Sequence, residues 1–480
     1  MNRRDPIAIL GVPFDNVTTA ETLTIITGLI ASRQPHCAAT VNAEFIVQAL
    51  EDVELRRILF DMHLVLPDGT PVVWASKILG NPLRERVAGA TLIPCLLAEA
   101  ETRGWRVFLL GGNPETMEQA AKNTLAKYPR LQLAGAYAPP VQSLLEMDHA
   151  DILRRLHEAK PDVLLVGFGC PKQEKWINMH FRQAGVPFCL GAGTTIEFLA
   201  GAVRRAPLWM YNTGTDWFYR LLQQPRRQLE HYRRDLWVFG RLVLRQAWQL
   251  RSWKKSAAPR RPDAVTADTA AITVLKPADS LNAAEVRQHR DAWLAAVEQR
   301  HVIVDLTETR MVDSTGFGLL IRLRKRSREL GRGLVLLAPN SQVRAALRLM
   351  QLEDFFALEN TLDAARLRVE KETGSAQSAV LQARTDIMVI RWRGEVTADS
   401  VPDLAARTQA QLDHLPAGHQ VMIDLTGVVF VDSTGVGFMI RLRKNYLQRN
   451  LVLNFCEPNL NILNVLQHLK IDEYLLGGSK

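Results

Sequence analysis

The chain has 480 residues, enough for about three domains. It is 47% apolar and 23% charged, the balance of a folded globular protein, which excludes a disordered, collagen-like or disulfide-scaffold chain. The net charge of +9 is local: residues 204–261 hold fourteen Lys and Arg against three acids, and the other 422 residues sum to −2. Five of the ten Trp fall in the same segment. The five Cys follow no metal or disulfide spacing, which reads as reduced thiols in a cytosolic protein. The first residues, MNRRDPIAILGVPFDN, lack the apolar core of a signal peptide, and no run approaches the roughly 18–20 apolar residues that cross a bilayer. Membrane contact, if present, is expected to be peripheral.

Residues 1–203 alternate short apolar runs with amphipathic stretches. VFLLGG (107–112) precedes the helical NPETMEQAAKNTLAKY, DVLLVGFG (162–169) precedes PKQEKWINMHFRQAG, and VPFCLGAG (186–193) is a third such run. Apolar strand, glycine loop and helix in succession predict a parallel, Rossmann-like α/β domain, with ligands at the carboxyl ends of the strands. Three loops fall there. Gly111-Gly112 opens a helix, where free N–H groups suit a phosphate, or it is a tight turn that needs glycine. Gly167-Phe-Gly169-Cys-Pro171-Lys172-Gln173-Glu174 fits an anionic ligand such as a nucleotide diphosphate, or is a solvated helix start. Asp68, between Pro67 and Gly69, is a turn residue or a carboxylate poised as a base at the lip of a cleft.

At this point the motifs carry a resemblance. Thr40-Val-Asn42-Ala-Glu44, Pro67-Asp68-Gly69, Arg86-Val-Ala-Gly89, Leu110-Gly111-Gly112, the Gly167–Glu174 loop, Gly191-Ala-Gly193 and Arg205-Ala-Pro207-x-Trp209-Met210 follow one another, then Trp217-x-Tyr219-Arg220 and Pro225-x-Arg227. Over residues 8–225 the chain resembles the WecG/TagA/CpsF family of bacterial glycosyltransferases. The resemblance implies inverting, metal-independent transfer of a hexose or N-acetylhexosamine-type sugar from a UDP-sugar to an undecaprenyl-diphosphate-linked acceptor, on the inner face of the cell membrane. The product would be a surface polysaccharide or exopolysaccharide. The resemblance also implies that no cofactor or metal is needed, and the sequence is consistent with that, since no Asp-x-Asp pair occurs in the chain. The resemblance makes Asp68 the base, a role worth about 10²–10⁴-fold. It places Thr40 and Asn42 in the same pocket, Arg86 on the diphosphate or acceptor, and Gln173 on the sugar or acceptor. Gly111, Gly112, Gly167, Gly169, Lys172, Glu174, Gly191 and Gly193 would line the substrate. Val41 and Ala43 stand where relatives often have Pro, and Thr194-Thr195-Ile-Glu197-Phe198 departs from the usual Ala-Phe-Asp-Phe, which leaves the donor sugar open.

The basic segment predicts a helix over 226–251. Leu229, Tyr232, Leu236, Phe239, Val243, Ala247 and Leu250 form an apolar face, and Arg227, Arg234, Arg241 and Arg245 lie opposite, with Trp237 and Trp248 at the boundary. Such a helix either lies at a membrane interface or packs its apolar stripe on the preceding domain with its arginines solvated. No nucleic-acid-binding motif accompanies the charge, and nucleic acid is not an expected partner. The family's membrane-docking appendage covers this stretch, which assigns Arg220, Arg226, Arg227, Arg234, Arg241 and Trp237 to the lipid diphosphate or the membrane.

The remainder is a duplication. DLTETRMVDSTGFGLLIRLRK begins at Asp305 and DLTGVVFVDSTGVGFMIRLRK at Asp424, an offset of 119 residues. Each copy reads strand, Asp-Ser-Thr-Gly, helix, strand, helix, and resembles the STAS fold of anti-sigma factor antagonists. That resemblance implies phosphorylation at Ser314 and Ser433 by a partner kinase; the plainer reading is that Asp-Ser-Thr caps a helix. The first copy lacks the turn that the second keeps at Arg393-Gly394-Glu395. The expected organisation is a glycosyltransferase core (1–205), a basic appendage (206–255), a linker (256–270), one STAS domain (271–370), a second linker (371–379) and a second STAS domain (380–480). Partners are a UDP-sugar, a polyprenyl-diphosphate acceptor, the membrane surface, a kinase or regulator at the STAS domains, and a second copy of the chain. The alternative is a non-catalytic signalling protein working through its STAS domains.

Overall fold

Leu64–Leu66, Val163–Val166 and Phe188–Leu190 are unbroken apolar runs, buried along their length, as strands must be when both faces of a parallel sheet are covered. The computed structural model describes residues 5–202, 210, 219, 225–254, 271–374, 380–384, 387–413, 420–448 and 452–476, with backbone only at 225–235, 251–254, 370–374, 380–384, 387, 413 and 468. A hairpin of β1 (Ile7–Ile9) and β2 (Val12–Phe14) comes first. β3 (His36–Val41), β4 (Leu64–Pro67), β5 (Arg106–Gly111), β6 (Gln132–Tyr137), β7 (Val163–Gly167) and β8 (Phe188–Gly191) then form one parallel sheet, ordered β4-β3-β8-β7-β5-β6.

Among the described residues nine helices accompany these strands: α1 (Thr19–Ala31), α2 (Ala43–Glu51), α3 (Val53–Asp61), α4 (Thr70–Ile78), α5 (Gly89–Arg103), α6 (Pro114–Lys127), α7 (His149–Ala159), α8 (Lys172–Ala184) and α9 (Thr195–Leu199). Their starts are written locally. Thr18 and Glu21 close a capping box on α1, and Asn42, Asp52, Asn113 and Asp148 each accept an N–H of the first turn of α2, α3, α6 and α7. Apolar residues of α1, α5, α6 and α9 cover one face of the sheet, and those of α2, α3, α7 and α8 cover the other.

α10 (Pro225–Lys254) packs against α2 and α4. Phe239, Val243, Ala247 and Leu250 are buried in the core, and Gln246, 1% exposed, accepts the Leu10 N–H. The apolar stripe therefore packs on the protein, and the membrane-interface reading of that stripe is corrected. Trp237, Leu244 and Trp248 are instead exposed, at 65%, 62% and 71%. They share the solvent face with Arg241 and Arg245, and the Arg241 guanidinium lies over the Trp237 ring at 5.5 Å. The tryptophans are not at a boundary; they form a second stripe, stepping by seven and then four residues.

The first duplicated copy comprises β9 (Ile272–Leu275), β10 (Ser280–Leu281), β11 (His301–Asp305), β12 (Met311–Val312), β13 (Leu334–Leu337) and β14 (Ala357–Glu359), with α11 (Ala283–Gln299), α12 (Ser314–Glu329), α13 (Ser341–Leu349) and α14 (Leu362–Gly374). Its parallel sheet runs β14-β13-β11-β9. The second has β15 (Val380–Arg384), β16 (Ile387–Val396), β17 (Gln420–Val431) and β18 (Leu453–Cys456) in that order, with α15 (Val401–Asp413), α16 (Ser433–Gln448), α17 (Leu460–His468) and α18 (Asp472–Leu476). Here β16 and β17 each continue through what are two short strands in the first copy, with register shifts at Arg391/Arg393 and Gly394/Glu395. α14 extends to Gly374, into the stretch read as linker, while 256–270 lies outside the described residues.

Both copies turn the same helix toward the N-terminal domain. A methyl group on Gly318 of α12 would fall on the Pro6 carbonyl, and one on Gly11 would fall on the Met350 carbonyl, so both positions admit the other domain's backbone. The first copy shares one continuous apolar core with the N-terminal domain, where the Phe60 and Phe355 rings meet at 4.4 Å. The second copy keeps an apolar cluster of its own, touched by Leu145.

Candidate active site

Five neighbouring parallel strands end side by side, and the sequence places a polar or glycine loop at each end. Asp68 follows β4; its N–H donates to the Val41 carbonyl and its Oδ2 accepts the Gly89 N–H at 3.2 Å. Thr40 and Asn42 lie at the end of β3. Gly89 is closely flanked: a methyl there would lie 3.2 Å from Thr40 Oγ1 and 3.4 Å from Thr195 Oγ1. Asn42 Oδ1 is committed to capping α2, through the Phe45 N–H. Arg86, half-buried, donates to Thr70 Oγ1 at 3.1 Å, at the start of α4 and just beyond Asp68. Asp68, Thr40, Asn42, Arg86 and Thr195 thus form one group.

Gln173, 3% exposed, stands at the next strand end. Its Oε1 accepts the Gly193 N–H at 3.0 Å and its Nε2 donates to Glu174 Oε1 at 2.7 Å. Gly191 leaves this pair its place: a Cβ there would lie 2.7 Å from Gln173 Nε2 and 2.8 Å from Glu174 Oε1 and would displace them. Glu174 is 1% exposed, and its Oε2 has no partner among the described residues. Burial pushes its carboxyl up to about 7. Asp68 and Gln173 sit two strand spacings apart, about 10 Å, and the row from β4 to β5 spans about 19 Å.

The glycines divide into two kinds. Gly111 and Gly167 serve packing: a Cβ on Gly111 would lie 2.7 Å from the Gly167 backbone, and one on Gly167 would lie 2.4 Å from Ile196. Gly169, at φ +80, has nothing within 4 Å of where a Cβ would be, and Gly112 has only Ile196, at 4.0 Å. Gly112 and Gly169 therefore face open space, with Gly193 beside Gln173. Lys172 is turned outward; its Nζ donates to the Gln142 carbonyl at 2.6 Å and lies over the Phe168 ring.

The remaining expected residues lie elsewhere. Arg241 and Trp237 are on the exposed face of α10, Arg220 is outside the described residues, and the side chains of Arg226, Arg227 and Arg234 are too. Ser314 and Ser433 have no exposed surface, which closes both hydroxyls to another protein in this arrangement. Asp313 caps α12 through the Thr315 and Gly316 N–H groups, and its Oδ2 accepts from Asn81 of the N-terminal domain. Among the described residues no three His, Cys, Asp or Glu converge as a metal site, and no helix is long and apolar enough to cross a membrane.

Sequence reasoning missed Trp74 and Ile78, exposed at 53% and 42% on α4, which packs against α10. The signal was present: with Lys77 they lie opposite the buried Val72, Ala75 and Ser76. It also missed the buried ion pairs of Lys175 with Asp52 and Glu54, at 2.7 and 2.9 Å. Nothing local to either segment announces them.

A doubly wound parallel sheet with a carboxylate, an amide and open glycine loops in one row at its strand ends is the form in which α/β enzymes bind ligands beyond the carboxyl ends of their strands. The chain belongs to the WecG/TagA/CpsF glycosyl transferase family, whose model matches residues 7–253, and the STAS domain model matches 261–365 and 378–478. An N-acetylglucosaminyldiphosphoundecaprenol N-acetyl-beta-D-mannosaminyltransferase of Staphylococcus aureus (strain MW2) is 31% identical over 223 residues, 46% of this chain and 86% of its own. The protein of the same name from Bacillus subtilis (strain 168) is 31% identical over 189 residues, 39% of this chain and 72% of its own. Among solved structures, an anti-sigma-factor antagonist (STAS) domain protein from Planctomyces limnophilus is 26% identical, with a TM-score of 0.20, over 22% of this chain and 92% of that one.

Proposed function

We propose that the N-terminal domain transfers an N-acetylhexosamine-type sugar, with inversion and without a metal, from a UDP-sugar to an undecaprenyl-diphosphate-linked acceptor. The observation that carries this reading is the row of Asp68, Thr40, Asn42, Arg86 and Gln173 at adjacent strand ends, beside the open backbone of Gly112 and Gly169. The names of the relatives support the substrate class: those proteins transfer N-acetylmannosamine to N-acetylglucosaminyl-diphosphoundecaprenol. Asp68 takes the proton of the acceptor hydroxyl as that oxygen attacks the anomeric carbon and UDP departs. Gln173, its carbonyl fixed by Gly193, presents an amide to the sugar or acceptor. Arg86 and the N–H groups after Gly112 and Gly169 offset the diphosphate charge.

The exposed Trp237, Leu244 and Trp248 with Arg241 and Arg245, together with Trp74, Lys77 and Ile78 on the adjoining helix, support peripheral docking on an anionic membrane surface. Each basic residue near such a surface adds about 1 kcal/mol. α4 starts directly after Asp68-Gly69, so this face adjoins the acceptor end of the row. Phosphorylation at Ser433 belongs to a form in which the second copy has come away from the transferase, whereas Ser314 lies in the copy that shares the transferase core.

The test is release of UDP from a panel of UDP-N-acetylhexosamines, with a short-chain polyprenyl-diphosphate N-acetylglucosamine as acceptor. Turnover is expected with one donor of the panel, and Asp68→Asn should lower it about 10²–10⁴-fold with donor binding kept. Failure of every donor overturns the reading, and an Asp68→Asn enzyme of full activity removes Asp68 from it.

A further inference from the structure

Where the second duplicated copy meets the transferase, the contact ends in a buried charge cluster that the transfer chemistry does not use. Glu54, in the first turn of α3, is 2% exposed. Both of its carboxylate oxygens are taken by the other domain: Oε1 accepts the Ser433 N–H, and Oε2 accepts the Ser433 hydroxyl at 2.8 Å. A transferase carboxylate thus occupies the N-terminus of α16, where an anion is favoured. The same carboxylate pairs with Lys175, which also pairs with Asp52. Lys175 lies two residues after Gln173 in the first turn of α8, and Gln173 holds the Gly193 N–H. Polar contacts therefore run from Ser433 through Glu54 to Lys175, and the first turn of α8 carries the connection on to Gln173 in the strand-end row.

Three buried carboxylates gather in this corner: Asp52 and Glu54 share the Lys175 ammonium, and Asp432 lies beside Glu54 in a cavity that Arg57, Lys325 and Arg328 also line. Burial, and then Glu54, push Asp432 up to about 7. Burial alone would lower Lys175, but Glu54 and Asp52 outweigh it and hold the ammonium above its ordinary value. The two copies differ in how they attach. The first is joined through the shared core. The second keeps its own core, which Leu145 of the transferase touches, and its polar contacts with the transferase include Glu54 on Ser433, Arg57 on Glu395 at 2.6 Å, and Arg182 on Asp399. A polar contact of that kind is the composition of a reversible interface.

We propose that the second copy is an in-cis regulatory partner of the transferase, its docked and undocked states read by α8 through Ser433, Glu54 and Lys175. Docking then sets how firmly Gln173 is held for the acceptor; this part rests on the strand-end row being the transfer site. Glu54 and Lys175 are positioning residues, acting through Gln173.

The experiment uses the full chain as wild type, Ser433→Asp, Ser433→Ala and the double variant Ser433→Asp with Glu54→Gln. Hydrogen exchange is followed in 433–448 and 172–184. Kinetics are read with UDP-N-acetylmannosamine and the short-chain polyprenyl-diphosphate N-acetylglucosamine. Ser433→Asp sets a second carboxylate against Glu54 and should speed exchange in both segments by about tenfold. It should raise the acceptor KM about fivefold with kcat little changed. Ser433→Ala, which loses one hydrogen bond, should stay within about twofold of wild type, and the double variant, with the charge restored, should return to that range. Faster exchange in 433–448 with 172–184 unmoved overturns the proposal, as does failure of Glu54→Gln to restore Ser433→Asp. A wild-type chain that transfers nothing yet shows the coupled, charge-restored exchange refutes the transfer reading and supports the relay.

Discussion

Glu174→Gln tests the electrostatics of the strand-end row directly. Glu174 is almost wholly buried, one of its oxygens lacks a partner among the described residues, and its carboxyl is pushed from the ordinary 4.5 to about 7. Between those two values the unfolded chain has already released this proton while the folded chain retains it. The unfolded state then binds fewer protons, so stability is full below about pH 4.5 and falls as pH rises toward 7, where the loss levels off. At about 1.4 kcal/mol per pH unit, the loss comes to about 3 kcal/mol. Glutamine has no such titration. The amide contributes a fixed offset of its own, so the informative quantity is the change with pH. Urea unfolding of the full chain, followed by far-ultraviolet circular dichroism, should be measured for both proteins from pH 4.5 to pH 8. The variant's stability relative to wild type should rise by about 3 kcal/mol across that range. Parallel curves would refute the assignment of a raised carboxyl to this site.

Three further outcomes follow from the geometry. Gly111→Ala, at φ +118 and against the Gly167 backbone, should cost more than about 1 kcal/mol in the same unfolding assay, and a neutral result would contradict the close approach of β5 and β7. Replacing Trp237 and Trp248 together by Glu should abolish sedimentation with vesicles rich in anionic phospholipid while leaving the far-ultraviolet circular dichroism unchanged; retained binding would move the membrane face elsewhere on the protein. Phe355→Ala empties one side of the Phe60–Phe355 contact and should cost about 3–5 kcal/mol. Because that contact joins two domains, calorimetry should show the transferase and first-copy transitions falling together, whereas a fall in the first-copy transition alone would show that the cores are energetically separate.

Local grammar made much of this fold legible. Val163–Gly167 and the helix opening at Lys172 follow from an apolar run, a glycine loop and an amphipathic stretch, and the row at the strand ends follows from the parallel order of those units. The duplicated Asp-Ser-Thr-Gly junctions read as helix starts, and Asp313 and Asp432 do accept first-turn N–H groups. What stayed hidden depends on which faces meet. The helical period of α10 revealed the stripe through Phe239 and Val243, but not whether lipid or protein covers it. The stripe through Trp237 and Trp248 became visible only once α2 and α4 were seen to cover the other side. Gly111 and Gly167 read as phosphate-loop candidates, yet they are small because two strand ends and Ile196 crowd together. Glu54 and Ser433 are 379 residues apart and carry no mutual pattern, so their pairing is a property of docking and of neither segment alone.

The hairpin of Ile7–Phe14 has a consequence for biosynthesis. It is buried, and the helix that covers it, with Gly318 against Pro6, is encoded about 310 residues further on. At bacterial elongation rates of about 5–20 residues per second, its apolar side waits about 15–60 s for that helix to leave the ribosome. A transferase domain released early, by a premature stop or by cleavage after α10, presents Ile7, Ile9, Val12 and Phe14 to chaperones and proteases. A chain cut after α10 is therefore expected to accumulate to a lower level in cells than the full chain, which immunoblotting of the two would show.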